Sequence, residues 1–328
     1  MNNSNTMKAA IYRQYGGPEQ LSIEQQVRPT PGPNELLVRI HASTVNRTDC
    51  GFLRGEPFIV RFFSGLRTPH SPVLGCEFAG EVIECGQDVS EYQVGDRVVG
   101  FKDDDFGFGG HAQFTCIPAS AMVSRIPEPF SYEQAAPALE GAHYALHYIR
   151  AANVQAGHSV LVNGATGAIG SAAVQIVKHM GARVVAVCET KHMQTVQSLG
   201  ADEVIDYTQQ NFETLDKRFD FVFDAVGKST FFKCRRLLHK HGCYASSELG
   251  PWSQNPFLAL WSRWFGKRKV LFPIPVNTKQ DAEYLCNLME RGHYTPLLDR
   301  SYRLDDLAEA YRYVETGMKT GNVVVNID

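Results

Sequence analysis

The stretch Val160-Leu-Val-Asn-Gly-Ala-Thr-Gly-Ala-Ile-Gly170 decides the fold of this 328-residue chain. An apolar strand pattern runs into glycines at positions 164, 167 and 170, and a helical pattern begins at once. Small residues let a backbone approach a pyrophosphate, while a helix N-terminus offers unpaired N–H groups and a positive dipole end. We interpret the loop as a dinucleotide site; the alternative is a tight strand–helix turn without a ligand.

Strands and helices alternate outward from this loop. The predicted strands are Ser159–Asn163, Arg183–Cys188, Glu203–Asp206, Phe219–Asp224 and Cys243–Ser246, and the predicted helices are Ser171–Met180, Met193–Leu199 and Thr230–His239. Repeated strand–helix alternation over this length is typical of a doubly wound parallel sheet, so the predicted fold class is α/β.

The two ends of the chain have a different pattern. Short β patterns separated by turns are found at Met7–Tyr12, Glu35–Val45, Glu77–Glu84, Asp96–Phe101 and Ser120–Ile126. This part predicts a β barrel or sandwich. The later predicted elements are a helix at Tyr132–Ala152, a strand at Val270–Pro275, helices at Gln280–Arg291 and Leu304–Thr316, and a strand at Asn322–Ile327.

Composition and charge argue against several classes of function. Lys and Arg total 32 against 35 Asp and Glu, a formal net charge of −3, which does not favour a nucleic-acid partner. The eight cysteines form no C-x-x-C pair, so we expect neither a structural zinc lobe nor disulfides. Met1–Thr6 lacks the apolar core of a signal peptide, and no run reaches the roughly 18 apolar residues of a membrane span. We expect a cytoplasmic protein with reduced thiols.

The end of the second parallel strand indicates which dinucleotide is bound. NAD sites usually place Asp or Glu there to hold the ribose diol. This chain has Cys188 instead, followed by Glu189, Thr190 and Lys191. The Lys191 ammonium and the Thr190 hydroxyl can hold a 2′-phosphate, so we expect NADP(H). Glu189 opposes that choice if its carboxylate turns inward, and a merely solvated Lys191 is the alternative.

Several further motifs occur in a family order. They are Val45-Asn-Arg-Thr-Asp49, Leu74-Gly-Cys-Glu-Phe-Ala-Gly80, Val94-Gly-Asp-Arg-Val98, Leu199-Gly-Ala-Asp-Glu-Val-Ile-Asp-Tyr207 and Thr320-Gly-Asn-Val-Val324. Together with the glycine loop, they resemble the medium-chain dehydrogenase/reductase superfamily over nearly the whole chain. The branch that they resemble most is that of the zinc-free quinone oxidoreductases and enone reductases.

That resemblance implies a particular domain organisation. A GroES-like β catalytic domain comprises residues 1–127 and 273–328, and a Rossmann NADP-binding domain, residues 128–272, is inserted between them. The resemblance places the active site in the cleft between the domains, where small-molecule sites are common. It also implies a homodimer that pairs through an edge strand of the Rossmann sheet, with Val270–Pro275 as the candidate strand.

Zinc-dependent members of the superfamily hold a catalytic metal with Cys, His and Cys. By hand alignment, the corresponding residues here are Asn46, Cys76 and, within one residue, Glu140. Asn is a poor zinc ligand, so we predict that the protein uses no metal. A degenerate site made of Cys76, Glu77 and Glu140 is the alternative. Cys76 as a small buried apolar residue is the simpler interpretation.

The resemblance implies hydride transfer without zinc, from NADPH to a quinone or to the C=C bond of an α,β-unsaturated carbonyl. Negative charge then builds on an oxygen and needs hydrogen-bond donors. The catalytic candidates are Asn46, Asp49 and Tyr144. Each has a structural alternative: Asn46 as a turn cap, Asp49 as the residue that pins this turn, and Tyr144 as a core aromatic.

The cofactor-binding candidates that the resemblance carries over lie at the ends of the predicted parallel strands and in the closing motif. They are Gly164, Thr166, Gly167, Ala168, Ile169, Gly170, Thr190, Lys191, Tyr207, Ala225, Val226, Gly227 and Asn322. Two other functions stay open. One is an NADP-dependent alcohol dehydrogenase with a degenerate metal site, and the other is a cofactor-binding redox sensor without turnover.

Two aromatic and basic segments, Phe58–Ser71 and Trp252–Lys269, depart from compact members of the family. Either could line an apolar substrate pocket. The second could also contact a membrane surface, because tryptophans beside basic residues favour interfaces. We expect core packing or a subunit interface for both.

Overall fold

The computed structural model describes residues 5–102 and 108–327. The chain divides into two compact units. Unit 1 comprises Met1–Glu140, Asn277–Arg291 and Leu298–Asp328, and unit 2 comprises Gly141–Val276 and Gly292–Leu297. The domain boundaries that the family resemblance implies, after residues 127 and 272, stay predictions. The expected absence of a signal peptide concerns Met1–Thr6, and residues 1–4 of this stretch lie outside the described residues.

Unit 1 is built on β-strands from both ends of the chain. Its strands are β1 (Thr6–Ile11), β2 (Ser22–Val27), β3 (Glu35–Val45), β4 (Glu77–Cys85), β5 (Arg97–Phe101), β6 (Phe114–Pro118), β7 (Val123–Arg125), β14 (Leu298–Arg303) and β15 (Asn322–Asn326). The main sheet has the order β14-β15-β3-β4-β5-β7, with β6 also on β3, and only β14 and β15 run parallel. Val325 of the last strand lies opposite Ser43 of β3. The GroES-like unit is therefore closed by the C-terminal end of the chain.

Unit 2 contains a six-stranded, fully parallel sheet. Its strands are β8 (Ser159–Asn163), β9 (Arg183–Cys188), β10 (Glu203–Asp206), β11 (Phe219–Asp224), β12 (Leu238–Ser246) and β13 (Lys269–Leu271). The order is β10-β9-β8-β11-β12-β13, which is the doubly wound Rossmann order. Val160, Leu161 and Val162 are all fully buried, because both faces of a parallel sheet are covered. This confirms the predicted α/β fold class.

The helices complete both units. They are α1 (Arg47–Arg54), α2 (Arg61–Ser64), α3 (Tyr132–Ala135), α4 (Glu140–Ala151), α5 (Ala168–His179), α6 (Met193–Ser198), α7 (Phe231–Cys234), α8 (Gln254–Trp264), α9 (Lys279–Glu290) and α10 (Leu307–Glu315). Within the described ranges, none of these helices is long and apolar enough to cross a membrane.

Two predicted helices are wrong in extent. The Tyr132–Ala152 helix is broken at Pro137, whose φ of −87° and ψ of 21° are not helical, because a proline ring clashes with the preceding helical turn. The Thr230–His239 helix ends at Cys234 and gives way to a short 3₁₀ turn. Leu238 then pairs with Phe219 in the parallel sheet, so sheet pairing overrides the local helical pattern.

Candidate active site

Asn46 lies at the end of β3, directly before the first turn of α1, and is 5% exposed. Its backbone N–H donates to Asp49 Oδ2 over 2.8 Å, so the Asp49 carboxylate closes the start of the helix. The other oxygen of Asp49 accepts from the Cys76 thiol at 3.5 Å. The structure therefore brings the predicted residues Asn46 and Asp49 together with Cys76, and the hydrogen bonds to the Asp49 carboxylate stabilise this turn.

The Asn46 side chain is hydrogen-bonded at both ends. Its Nδ2 donates to Glu140 Oε2 at 2.8 Å and approaches Thr44 Oγ1 at 3.2 Å. Its Oδ1 accepts from Lys319 Nζ at 3.1 Å. An amide has two N–H donors and one oxygen, so these contacts fix its orientation. A role for Asn46 as the substrate's own hydrogen-bond donor stays a prediction, since both of its N–H directions already point to protein oxygens.

Glu77 is the central carboxylate of the cluster and is fully buried. One of its oxygens accepts from Thr44 Oγ1 at 3.0 Å. The other accepts from the backbone N–H groups of Leu139 at 3.2 Å and Glu140 at 2.8 Å. Glu77 thus ties β4 to the N-terminus of α4, where unpaired N–H groups favour an anion.

Burial dominates the electrostatics of this cluster. It raises the pKa of Glu77, whose carboxylate is also repelled by Glu140, and it raises the pKa of Glu140, which is repelled by Asp49. Burial likewise raises the pKa of Asp49, although the N–H of Asn46 opposes this shift. Because charged carboxylates lose solvation there, the cluster favours bound protons and a compensating cation.

Lys319 supplies that cation, and the sequence analysis missed it. Its half-buried side chain donates from Nζ to Asn46 Oδ1 and, at 2.7 Å, to the backbone oxygen of Gly321. Burial lowers the pKa of Lys319, while the carboxylates of Glu140 and Glu77 raise it. Lys319 immediately precedes the Thr320–Val324 motif, and this adjacency was the available signal.

The cluster contains three side chains that could in principle coordinate a metal ion. Within the described residues, one ligand atom each of Asp49, Cys76 and Glu140 lies within 4.8 Å of the others. Each of these three residues already takes part in a hydrogen bond inside the cluster: Cys76 donates to Asp49, and Glu140 accepts from the Asn46 amide. The same Asn46 amide accepts from the Lys319 ammonium. A dication would be repelled by this ammonium. The donor set therefore does not fit a catalytic zinc ion well while Lys319 is protonated.

The glycine loop of unit 2 has the geometry of a nucleotide-binding turn. It joins β8 to α5, and Gly167 is the last residue before the helix. A Cβ on Gly164 would lie 2.2 Å from Val226, and one on Gly170 would lie 2.1 Å from the Gly164 oxygen, so packing within the chain requires both glycines. A Cβ on Gly167 would meet only the Gly164 oxygen, at 3.6 Å. Space at Gly167 beside a helix N-terminus fits a pyrophosphate.

The residues predicted to recognise the adenosine end lie at the carboxyl ends of β9 and β10. The Lys191 ammonium pairs with the exposed Glu189 carboxylate at 2.9 Å. Thr190 donates to Asp206, which ends β10, and lies 3.1 Å from Thr208 Oγ1. The structure thus brings Thr190 and Lys191 to the expected edge of the sheet, and each already has an acidic neighbour.

The remaining predicted residues are distributed over both units. Tyr207 is 54% exposed directly after β10, and the segment Ala225–Gly227 follows β11, with Gly227 at a φ of 65°. Thr166, Ala168 and Ile169 are partly exposed in the loop and the first turn of α5. Tyr144 is half-buried on α4 in unit 2, whereas Asn322 is buried at the start of β15 in unit 1. The roles assigned to these residues stay predictions.

Comparisons with known families match both parts of the chain. Residues 32–128 match the model described as "Alcohol dehydrogenase GroES-like domain". Residues 199–325 match the model described as "Zinc-binding dehydrogenase". The first match spans β3 to β7 and includes Asn46, Cys76 and Glu77, and the second reaches from the end of α6 into β15.

Individual relatives span nearly the whole chain. A chloroplastic quinone-oxidoreductase of Triphysaria versicolor is 30% identical over 331 residues, covering 97% of this chain and 98% of its own length. A 2-methylene-furan-3-one reductase of Solanum lycopersicum is 30% identical over 332 residues, covering 98% and 79%. The solved quinone oxidoreductase of Coxiella burnetii superposes with a TM-score of 0.87 at 25% identity, covering 98% and 100%. The chain therefore belongs to the medium-chain dehydrogenase/reductase superfamily, whose members use nicotinamide cofactors, within its quinone oxidoreductase and enone reductase branch.

Proposed function

We propose that the protein is an NADPH-dependent oxidoreductase that reduces quinones or the C=C bond of α,β-unsaturated carbonyls without zinc. The observation that carries the proposal is the Lys319 ammonium beside Asn46, in a cluster where zinc-dependent members hold their metal. Relatives named quinone oxidoreductase and 2-methylene-furan-3-one reductase over nearly the full chain support the same reaction class.

Lys319 is the proposed donor to the substrate oxygen. The cofactor, when bound, supplies a hydride for the electrophilic carbon. Two of the three N–H groups of Lys319 are directed at Asn46 and Gly321, which leaves a third for a substrate carbonyl. A positively charged donor stabilises the negative charge that builds on this oxygen. Its lowered pKa also makes the ammonium a better proton donor to the resulting enolate or hydroquinone anion.

Asn46 and the carboxylates position Lys319 in this proposal. The amide oxygen of Asn46 accepts from Lys319, while its nitrogen is held by Glu140. Asp49 fixes the backbone of Asn46. The position of the ammonium therefore depends on residues from the start of α1 and the start of α4, and these side chains need not touch the substrate.

NADP(H) is the proposed cofactor. Cys188 ends β9 where an NAD-selecting carboxylate would accept from the ribose diol, and a thiol makes no such paired contact. Lys191 lies three residues later and is exposed beside Glu189. A 2′-phosphate carries more negative charge than one carboxylate and offers three acceptor oxygens, so we expect it to replace Glu189 as the partner of this ammonium.

Changing Lys191 tests the choice of cofactor. We expect Lys191→Ala to raise the KM for NADPH by about tenfold and to leave the KM for NADH within about twofold, because only the phosphate contact is lost. Lys217→Ala is the matched control, since Lys217 is also an exposed lysine of unit 2 paired with a glutamate, Glu203. An unchanged ratio of the two KM values in Lys191→Ala would contradict the assignment.

Assembly and location are part of the same proposal. The predicted strand Val270–Pro275 corresponds to β13, which spans only Lys269–Leu271 and is therefore shorter than expected. Because β13 forms one edge of the parallel sheet in unit 2, we propose that a homodimer forms through it. The eight cysteines are all free, which supports a cytoplasmic location. Analytical ultracentrifugation measures the first proposal directly, and a monomer at all concentrations would contradict it.

A further inference from the structure

Helix α8 has two opposite faces with different surroundings. Its inner face consists of Asn255, Leu258, Ala259 and Ser262, at helical spacing; Asn255 and Ser262 are buried, and Leu258 and Ala259 pack against the core of unit 2. The Ser262 hydroxyl also accepts from the N–H of Val270 at 3.0 Å, which fixes the helix against β13. The helix therefore packs on unit 2 through one side.

The outer face of α8 is apolar and lies in solvent. It consists of Phe257, Leu260, Trp261 and Trp264, also at helical spacing, and these side chains are between 55% and 79% exposed. Trp252 before the helix is 99% exposed and Phe265 after it is 58% exposed. The expectation of core packing for this segment is therefore wrong for its aromatic residues. A contiguous set of exposed aromatics is unusual on a soluble surface and marks an interaction site.

The sequence segment that carries this face has charges of one sign. From Leu249 to Val276 the sequence contains no Asp or Glu and contains four basic residues, which are Arg263, Lys267, Arg268 and Lys269. The whole chain carries a net charge of −3, so this local excess is not a property of its general composition. Arg263 and Lys267 are exposed at the C-terminal end of the outer face, while Lys269 caps the helix by donating to the Ser262 oxygen.

We propose that the outer face of α8 binds an anionic lipid surface and holds the protein peripherally on a membrane. Tryptophan, phenylalanine and leucine on a helix that lies flat insert at the level of the headgroups, and flanking Lys and Arg attract anionic lipids. A second copy of the chain that packs on this outer face, a contact distinct from the pairing proposed through β13, is the other candidate occupant. It fits less well, because a two-fold contact between outer faces would bring two basic segments without Asp or Glu together.

The tryptophans make this proposal directly measurable. All three tryptophans of the chain, Trp252, Trp261 and Trp264, lie in this segment. Intrinsic tryptophan fluorescence of the full chain therefore reports this surface alone. We expect a blue shift on adding vesicles of phosphatidylcholine with about one third phosphatidylglycerol, and a much smaller shift with phosphatidylcholine alone.

Two variants separate the apolar and the charged contributions. Phe257→Ser with Leu260→Ser should weaken co-sedimentation with anionic vesicles at least about tenfold and keeps the three tryptophans. Arg263→Gln with Lys267→Gln should reduce the preference for anionic over neutral vesicles. Phe232→Ala is the control, because Phe232 is a 61% exposed aromatic of unit 2 that lies outside this segment.

Three outcomes would overturn the proposal. The first is emission that is unchanged by anionic vesicles, and the second is an equal shift with neutral ones. The third is emission that shifts with protein concentration in the absence of lipid and not with vesicles, which would assign the outer face to a second copy of the chain. Binding that Phe232→Ala retains and the Phe257→Ser, Leu260→Ser variant loses supports it.

Discussion

Lys319 brings one positive charge to a cluster with three buried carboxyl groups, those of Asp49, Glu77 and Glu140. A metal ion in this position would provide positive charge together with open coordination positions. An ammonium also provides positive charge, but it offers three N–H donors and can lose a proton. At the scale of one residue, the replacement of a metal ion by an ammonium distinguishes the proposed reductase from a zinc-dependent dehydrogenase.

Substituting Lys319 tests whether its ammonium takes the place of a metal ion. We expect Lys319→Met to lower kcat for enone reduction by about 10²–10³-fold, because a preorganised donor to the oxygen is lost. The KM for NADPH should stay the same, since the glycine loop lies elsewhere in the chain. Lys319→Arg keeps the charge and should recover part of the rate. Equal kcat in wild type and Lys319→Met would show that the ammonium takes no part.

At the scale of the element, the loop between β8 and α5 allows stability and cofactor binding to be tested separately. Gly167→Ala has room for its methyl group and a φ of −74° that alanine adopts, so its melting temperature should match that of the wild type. Its KM for NADPH should rise about tenfold, because the methyl group occupies the space left for the pyrophosphate.

Gly170→Ala is the matched comparison for that loop. Its Cβ would collide with the Gly164 oxygen, so we expect a loss of about 1–3 kcal/mol in the free energy of unfolding. Differential scanning calorimetry and cofactor titration of both variants separate the two effects. A Gly167→Ala protein that binds NADPH like the wild type would contradict the position assigned to the pyrophosphate.

Glu77 connects β4 to the start of α4, and its pKa makes this connection dependent on pH. Burial raises the pKa of Glu77 from 4.5 to about 8, so the folded chain binds this proton more tightly than the unfolded chain does. When folding raises the pKa of a carboxyl group, its contribution to stability is fully present at a pH below the pKa of the unfolded chain. This contribution is lost as the pH rises through the pKa of the folded chain. Wild type should therefore lose stability relative to Glu77→Gln between about pH 4.5 and about pH 8. Urea unfolding across this range measures the difference, and parallel curves would contradict it.

The sequence predicted elements best where local pattern and tertiary packing agree. Strands β8 and β11 have apolar, buried central residues, Val160–Val162 and Phe221–Phe223, and their bounds match the prediction. Strand β2, Ser22-Ile-Glu-Gln-Gln-Val27, was missed, because a polar two-stranded ribbon has little apolar periodicity. Leu238 was assigned to a helix, since its pairing with Phe219 is a contact between distant parts of the sequence.

Long-range contacts also limited the prediction of the candidate site. Asn46 and Asp49 are three residues apart, and their turn motif placed both in advance. Lys319 is separated from Asn46 by most of the chain, and its position directly before the Thr320–Val324 motif does not by itself place it in this cluster. At the scale of the whole molecule, β15 pairs with β3 and brings the loop that carries Lys319 back to the N-terminal strands. The site therefore depends on closure of the sheet by both ends of the chain.

The central claim is that this chain transfers hydride from NADPH without a bound metal. The direct measurement is NADPH oxidation, followed by the loss of its absorbance, with a panel of quinones and enones, on protein whose zinc content has been determined by elemental analysis. We predict turnover at substoichiometric zinc that is unaffected by a chelator. Stoichiometric zinc that is required for turnover would contradict the claim, and so would the absence of turnover across the panel despite NADPH binding.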